Sequence, residues 1–146
     1  MGLIDALNRG PVALDTSGFI YFTEAHPRYL PVLRPLFEEV DRGWRRIVTS
    51  AVTLLEVLVV PYRAANLALA DEYEALLTRS RGVRLREIDA GQLRAAAQLR
   101  AGFGVRTPDA LQLAAALSER CTTFVTNDRR IPSIPGLRTV VLDDHV

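Results

Sequence analysis

The sequence predicts an α/β fold: a three-layer α/β/α sandwich around a mainly parallel sheet of about five strands. Short runs of apolar and β-branched residues, typical of strands that are buried on both faces, recur along the chain. Longer segments with helical spacing lie between them, and this alternation favours a parallel sheet covered by helices on both sides. With 146 residues, 49% of them hydrophobic, the chain is long enough to bury a core, and we expect one domain over residues 1–146.

The first elements follow from the apolar pattern near the start of the chain. The apolar run of residues 12–14, which Asp15 ends, predicts a short buried strand over residues 12–15. The helix after it passes through residues 19–22 and starts near Gly18, where a bulkier residue is expected to serve equally well. A second helix is predicted from about residue 32 to 42, and Gly43 ends it.

The middle of the chain predicts a second strand and two helices. Residues 46–49 have the β-branched character of a strand, and Ser50 is placed to cap the helix that follows. That helix carries Glu56, and Pro61 is expected to stop it. Residues 67–77 place apolar side chains at helical spacing with acidic ones between them, which predicts an amphipathic surface helix.

The second half predicts three more strands and two helices. Residues 83–88 alternate apolar and charged side chains, as in a half-exposed strand. A helix runs to about residue 103, and Thr107 and Pro108 are expected to be the N-cap and first residue of the next. The last two strands are predicted at residues 123–126 and 139–142.

Composition narrows the class of protein without naming an activity. The apolar runs are far shorter than the ~20 residues that a membrane helix needs, and the first residues do not resemble a secretory signal. The single cysteine, Cys121, permits no internal disulfide, so a cytoplasmic protein with no membrane partner is expected. The net charge is +1, and all eighteen basic residues are arginine. This bias is explained either by a GC-rich genome or by phosphate recognition, for which Arg129 and Arg130 beside Asp128 are well placed.

Four acidic residues occur where the fold itself does not need a charge. Asp15 and Asp128 follow strands, Asp109 lies in the first turn of a helix, and Glu56 lies about two turns into another. In a parallel sheet the carboxyl ends of strands and the amino ends of helices share the edge where ligands bind, so these four are expected to meet there. Carboxylates without a His or Cys cluster suit Mg²⁺ or Mn²⁺. Such a site indicates chemistry on a phosphate.

Each of these acids also has an ordinary structural explanation. Asp15 could cap a helix, Asp109 could complement a helix dipole, and Asp128 could shape a turn. Glu56 is harder to explain in this way, because its sequence neighbours are apolar and it is therefore expected to be buried. A buried carboxylate requires a partner or a metal ion. One shared site explains all four residues together.

The motifs in this order resemble the PIN-domain family over nearly the whole chain. The segment Asp15-Thr-Ser-Gly-Phe-Ile20 resembles the family's opening Asp-x-Ser/Asn motif, and Glu56 follows in a helix after the second strand. Thr107-Pro-Asp-Ala110 opens a helix of small residues, and Thr126-Asn-Asp128 follows a strand. The closing segment 136–142 is similar to the family's last strand. Among PIN domains, a chain of this size most resembles the VapC toxins of bacterial and archaeal toxin–antitoxin pairs.

The resemblance implies a metal-dependent endoribonuclease. By position, the residues that would hold Mg²⁺ or Mn²⁺ and carry catalysis are Asp15, Glu56, Asp109 and Asp128. Ser17 and Thr126 would hydrogen-bond a carboxylate or the metal-bound water, and Arg129 and Arg130 would be available to bind RNA. The resemblance also implies a homodimer and a cognate antitoxin protein that blocks the site.

Three other functions fit parts of the pattern. A signalling receiver is also a small parallel α/β domain with acids that bind Mg²⁺, but an adjacent acidic pair is expected after its first strand and a lysine near its end. Here Asp15 is followed by Thr16, and the chain has no lysine. A non-catalytic RNA-binding module that keeps the acids for stability remains open, as does a housekeeping RNA-processing nuclease without an antitoxin.

Overall fold

The computed structural model describes residues 2–146, and its sheet has the predicted α/β architecture. Its strands are β1 (Val12–Leu14), β2 (Ile47–Ser50), β3 (Val83–Arg86), β4 (Thr123–Thr126) and β5 (Arg138–Val141). The α-helices are α1 (Thr16–Thr23), α2 (Leu30–Asp41), α3 (Val52–Arg63), α4 (Leu67–Thr78), α5 (Ala90–Phe103) and α6 (Thr107–Ser118). Two short 3₁₀ helices, Ile4–Ala6 and Leu142–His145, lie near the ends.

The five strands of the described chain are all parallel and lie in the order β3-β2-β1-β4-β5. The central strand β1 pairs with β2 through Val12 and Ile47, and with β4 through Val12 and Thr123. This order differs from the 2-1-3-4-5 order of the flavodoxin-like sheet to which receiver domains belong. The topology therefore excludes the receiver alternative and confirms the predicted fold class.

A hydrophobic core lies on each face of the sheet, because successive side chains of a strand point in opposite directions. In β1, Val12 and Leu14 belong to the core formed with α1–α4, whereas Ala13 belongs to the core formed with α5 and α6. Phe124 and Val125 of β4 divide in the same way. The sheet is thus the middle of three layers, and its carboxyl edge carries the loops that hold the candidate site.

Several predicted boundaries are wrong by a few residues. α3 does not stop at Pro61 but continues to Arg63, because a proline this close to the end of a helix removes only one backbone hydrogen bond. Thr107 is the first residue of α6 rather than its N-cap, which is Arg106. The N-cap of α3 is likewise not Ser50, which ends β2, although the Ser50 Oγ accepts a bond from the backbone N–H of Val52 at 3.3 Å.

The expectation that Gly18 could be replaced by a bulkier residue is also wrong. Gly18 is buried in the first turn of α1 and packs directly on Leu14 of β1. A Cβ atom on Gly18 would lie 2.4 Å from the Leu14 Cδ1 and 2.7 Å from its Cγ. Leu14 is fully buried and cannot easily move away. The small residue is therefore what allows α1 to begin immediately after β1.

The structure also bears on the expectations for the cysteine and for membrane helices. Cys121 is buried against α5 and α6, and burial raises the pKa of its thiol to about 12. Among residues 2–146, no helix is long and apolar enough to cross a membrane.

Candidate active site

The four acidic residues singled out in the sequence line a single cleft at the carboxyl edge of the sheet. The cleft has a volume of about 370 Å³. Its lining residues are Asp15, Thr16, Ser17, Ile20, Tyr21, Glu56, Arg106, Pro108, Asp109, Gln112, Asn127 and Asp128. The strand order explains this convergence, because β1 and β4 are neighbours and α3 and α6 begin at the same edge.

Asp15 lies where β1 passes into α1, and three donors fix its carboxylate. The Oδ1 atom accepts bonds from the Ser17 Oγ at 2.8 Å and from the Gly18 N–H at 3.4 Å, while the Thr126 Oγ1 donates to Oδ2. Asp15 is also the N-cap of α1, so the capping and site interpretations are both compatible with its position. Burial raises the pKa of this carboxyl, although the bonds from Thr126, Ser17 and Gly18 oppose that effect, and the negative charge of Asp109 raises the pKa further.

Glu56 is only half-buried, which corrects the expectation that its apolar neighbours would enclose it. The helix turns Leu55, Val59 and Val60 toward solvent, so apolar neighbours in sequence are not neighbours in space. The Glu56 Oε1 accepts a bond from the Thr16 Oγ1 at 2.6 Å, which ties α3 to the start of α1. This bond holds the carboxylate on the wall of the cleft.

Asp109 and Asp128 differ from the first two acids because arginines contact them. The Arg106 Nε lies 3.3 Å from the Asp109 Oδ2, and the Arg106 Nη2 lies 3.6 Å from the Asp128 Oδ2. Arg130 makes a two-pronged contact with Asp128, at 3.0 Å from Nε to Oδ1 and 2.9 Å from Nη2 to Oδ2. The Arg130 contact, helped by Arg106, lowers the pKa of Asp128. Arg129, by contrast, pairs with Asp144 at 2.7 Å.

A buried polar network supports the cleft from behind. Gln112, one turn after Asp109 in α6, accepts bonds at Oε1 from the Ser50 N–H at 3.0 Å and from the Thr49 Oγ1 at 3.2 Å. Its Nε2 donates to the Thr53 Oγ1 at 2.7 Å. The Thr16 Oγ1 lies within 3.3 Å of Thr53, so the network reaches the residue that holds Glu56. It joins α6, β2, α3 and α1 around the site.

Sequence reasoning does not single out several residues that line this cleft. The sequence does not identify Arg106, because a lone arginine before a helix belongs to no recognisable pattern. Its spacing of three from Asp109 could, however, indicate a side-chain pair. The sequence does not identify Gln112 either, because nothing in it indicates that this glutamine is buried. Tyr21 lies on the cleft wall, near Asn127, whose Oδ1 accepts from the Asp143 N–H at 3.0 Å.

The donor chemistry of the cleft fits a hard divalent cation. Within residues 2–146, no three Asp, Glu, His or Cys side chains come close enough to form a ready-made metal cage. Mg²⁺ does not need such a cage, because it usually keeps several waters and binds one or two carboxylates together with substrate phosphates. Asp15 offers a carboxylate that three donors orient and that is only partly exposed to water, so its charge is less well solvated than on the surface. A cation in the cleft would stabilise that charge.

Comparison with known proteins identifies the family pattern. The family model for the PIN domain matches residues 12–137, which include all four acids and every strand except β5. Among curated proteins, none matches the sequence.

Solved structures show the same fold at low sequence identity. A toxin–antitoxin complex from Klebsiella pneumoniae aligns with a TM-score of 0.65 and 20% identity, over 90% of this chain and 97% of the other. VapBC2 from Rickettsia felis, bound to a DNA fragment from its promoter, gives 0.66 and 18% over 90% and 98%. DNA-bound VapBC from Salmonella typhimurium gives 0.63 and 22% over 91% and 98%.

Proposed function

Because this chain belongs to the PIN-domain family, we propose that it is a metal-dependent endoribonuclease and the toxin of a toxin–antitoxin pair. One observation carries the proposal: four carboxylates line one cleft, with the partly buried Asp15 fixed among them by three hydrogen-bond donors. The similar structures from three bacteria, described as toxin–antitoxin or VapBC complexes, support the pairing with an antitoxin. A toxin that acts on bacterial RNA would work in the cytoplasm.

We propose that Asp15, Glu56 and Asp109 hold a Mg²⁺ or Mn²⁺ ion in the cleft, in part through the waters that such an ion keeps. The ion, when bound, would polarise a phosphoryl oxygen and help to generate hydroxide at neutral pH. Ser17, Gly18 and Thr126 hold both oxygens of Asp15 in one orientation, so this carboxylate need not reorganise when the site is filled. The sequence also suggests Asp128 as a ligand, but Arg130 occupies both of its oxygens, whereas Asp109 is contacted by Arg106 through one oxygen only.

The polypeptide itself would place the RNA strand and keep the charges of the site balanced. The Thr16 Oγ1 donates to the Glu56 Oε1 at 2.6 Å, which holds this carboxylate at the wall of the cleft before substrate binds. Arg106 lies between Asp109 and Asp128, where its positive charge offsets their repulsion and faces an incoming phosphodiester. Oxygens of the substrate phosphate would occupy coordination positions of the ion that the acids leave open.

The deciding experiment compares wild type with Asp15→Asn on total bacterial RNA. Each protein is incubated with Mg²⁺, with Mn²⁺ or with a chelator, and the new ends are read by sequencing. We expect discrete cuts by wild type in either metal, none in chelator, and at least about a hundredfold slower cutting by Asp15→Asn, since the substitution removes a ligand charge.

Asp71→Asn is the matched control, because Asp71 is an exposed carboxylate on α4 outside the cleft. This variant should cut as wild type does. Equal cutting by Asp15→Asn and wild type would refute the assigned site. Absence of cutting by folded, inhibitor-free wild type in both metals would favour a non-catalytic RNA-binding module.

We further propose that two copies of the chain associate through an apolar surface on α3. Leu55, Val59 and Tyr62 are spaced so that they share one face of the helix, and all three are exposed. Large apolar side chains grouped on one face are typical of a protein interface. The double variant Val59→Glu/Tyr62→Glu should halve the mass measured by light scattering, whereas Leu93→Glu, at an exposed apolar position on α5, should not change it.

A further inference from the structure

The contacts of Asp128 distinguish it from the other acids of the cleft. Its Oδ1 accepts bonds from the Arg130 backbone N–H at 2.9 Å and from the Arg130 Nε at 3.0 Å. Its Oδ2 lies 2.9 Å from the Arg130 Nη2 and 3.6 Å from the Arg106 Nη2. Both oxygens are therefore occupied by cationic donors. Asp109 is contacted by one arginine through one oxygen, with the Arg106 Nε at 3.3 Å from Oδ2. Within residues 2–146, Asp15 and Glu56 form no ion pair; their partners are hydroxyl groups and one backbone N–H.

The two arginines project outward while Asp128 anchors them. The side chain of Arg130 is 75% exposed and that of Arg106 is 63% exposed, whereas Asp128 keeps only 24%. A guanidinium has five N–H groups in a planar fork, so each arginine retains donors that do not point at an aspartate. Such donors match the paired oxygens of a phosphate.

Arg106 also lies between two clefts. Arg106 and Asp109 line both the acid cleft and a second cleft of about 300 Å³, which Arg130 and Phe103 also line. A single-stranded RNA that places one phosphate in the acid cleft would have its next nucleotides close to these guanidinium groups. Arginines and an exposed aromatic ring together are the usual components of a groove for single-stranded nucleic acid.

We propose that Asp128 is a positioning residue rather than a metal ligand, and that it holds Arg106 and Arg130 as a two-arginine clamp for RNA phosphates beside the cut bond. The inference rests on the proposed ribonuclease function, because it assigns the path of the substrate. The cation is then left to Asp15, Glu56 and Asp109, and the clamp carries the affinity for the RNA backbone.

The first half of the test measures how tightly the protein binds the metal ion in the absence of substrate. Mn²⁺ alone is titrated calorimetrically into wild type, Asp15→Asn and Asp128→Asn, and thermal melting establishes that each variant is folded. We expect Asp15→Asn to bind Mn²⁺ roughly tenfold or more weakly, because the ion no longer has this carboxylate as a ligand. Asp128→Asn should stay within about threefold of wild type, since Arg130 and Arg106 already offset the charge of this carboxylate. A loss in Asp128→Asn as large as that in Asp15→Asn would overturn the proposal.

The second half measures how tightly the protein binds RNA in the absence of metal. A fluorescent 2′-O-methyl RNA oligonucleotide is bound in chelator over a range of salt concentrations. Arg106→Gln/Arg130→Gln should weaken binding roughly tenfold and reduce the slope of log K against log salt by about 0.7 for each phosphate that an arginine no longer neutralises. Arg81→Gln is the control, because Arg81 precedes β3 at the opposite edge of the sheet and is exposed. An unchanged slope in the double variant would overturn the clamp.

Asp128→Asn provides the sharpest outcome in the same binding assay. Removal of a negative charge should strengthen RNA binding if only net charge matters, whereas loss of a positioning residue should weaken it. Arg130→Lys keeps the charge but cannot make the two-pronged contact and should also weaken binding. If wild type and variants behave as expected but no RNA is cut with metal, the proposed ribonuclease is wrong and the clamp stands. If wild type cuts RNA but the arginine variants bind normally, only the clamp is wrong.

Discussion

Replacement of Gln112 by methionine tests whether the buried network behind the cleft holds the site together. Methionine is close to glutamine in length and flexibility, so the change removes hydrogen bonds with little change in packing. Gln112 is only 4% exposed and contacts three polar groups, on Thr49, Ser50 and Thr53. All three are buried and must find another partner when the amide is removed.

The cost follows from which of these groups can do so. The Thr49 and Thr53 hydroxyls lie 2.7 Å apart and can rotate to satisfy each other. The Ser50 N–H cannot rotate and is left without an acceptor, which costs about 1–3 kcal/mol, and the loss of the other hydrogen bonds adds about 1 kcal/mol. The free energy of unfolding should therefore fall by about 2–4 kcal/mol. For a chain of this length, that lowers the thermal midpoint by roughly 6–12 °C.

Chemical and thermal unfolding of Gln112→Met measure this change, and Gln98→Met on the exposed side of α5 is the control. The control should shift the midpoint by less than about 1 °C, as surface substitutions usually do. RNA cutting by Gln112→Met should fall as well, because Thr53 and Thr16 link the network to Glu56. A stability equal to that of wild type would refute the reasoning, since it would mean that the Ser50 N–H was never dependent on this amide.

Three further predictions concern single positions. Gly18→Ala should destabilise the protein by about 1–3 kcal/mol in urea unfolding, because the added methyl group would overlap Leu14. Gly102→Ala, at a position with open space in α5, should stabilise it by up to about 1 kcal/mol in the same assay. Thr123→Val should raise stability by about 1 kcal/mol in the same assay, because the buried Thr123 hydroxyl has no hydrogen-bond partner among the described residues. Burial raises the folded pKa of Asp15, so wild type loses stability as pH rises from the ordinary value of 3.8 through the raised pKa. Asp15→Asn lacks this loss, so its stability relative to wild type, measured by thermal melting in chelator, should increase as pH rises. A relative stability that decreases with pH would contradict the assignment.

The sequence is sufficient to predict the fold because the chain's local signals agree with one another. The ends of each predicted strand lie within two residues of the ends of the observed strand. Short apolar runs between amphipathic helices leave few alternatives for a parallel sheet. The meeting of Asp15, Glu56, Asp109 and Asp128 in one cleft follows from the same topology. Boundaries at Pro61 and Thr107 are less predictable, because capping and proline preferences shift a helix end by only a residue or two.

The environment of each acid cannot be predicted from the sequence in the same way. Burial of Glu56 depends on how α3 is rotated against the sheet, and apolar neighbours in sequence do not reveal that rotation. The close contact between Gly18 and Leu14 depends on the angle at which α1 leaves β1, which is a tertiary quantity. Neither leaves a periodic pattern along the chain.

These environments set Asp128 apart from the other three acids. Carboxylates at one edge of a sheet repel one another, and the protein lowers that repulsion either with a bound cation or with its own arginines. Arg130 contacts both oxygens of Asp128 and Arg106 contacts one oxygen of Asp109. Only hydroxyl and backbone donors reach Asp15 and Glu56. The side of the cleft around Asp15 therefore still lacks positive charge, while the side around Asp128 already has it. For that reason we expect an added divalent ion to bind beside Asp15, with the phosphate backbone drawn to the arginines opposite.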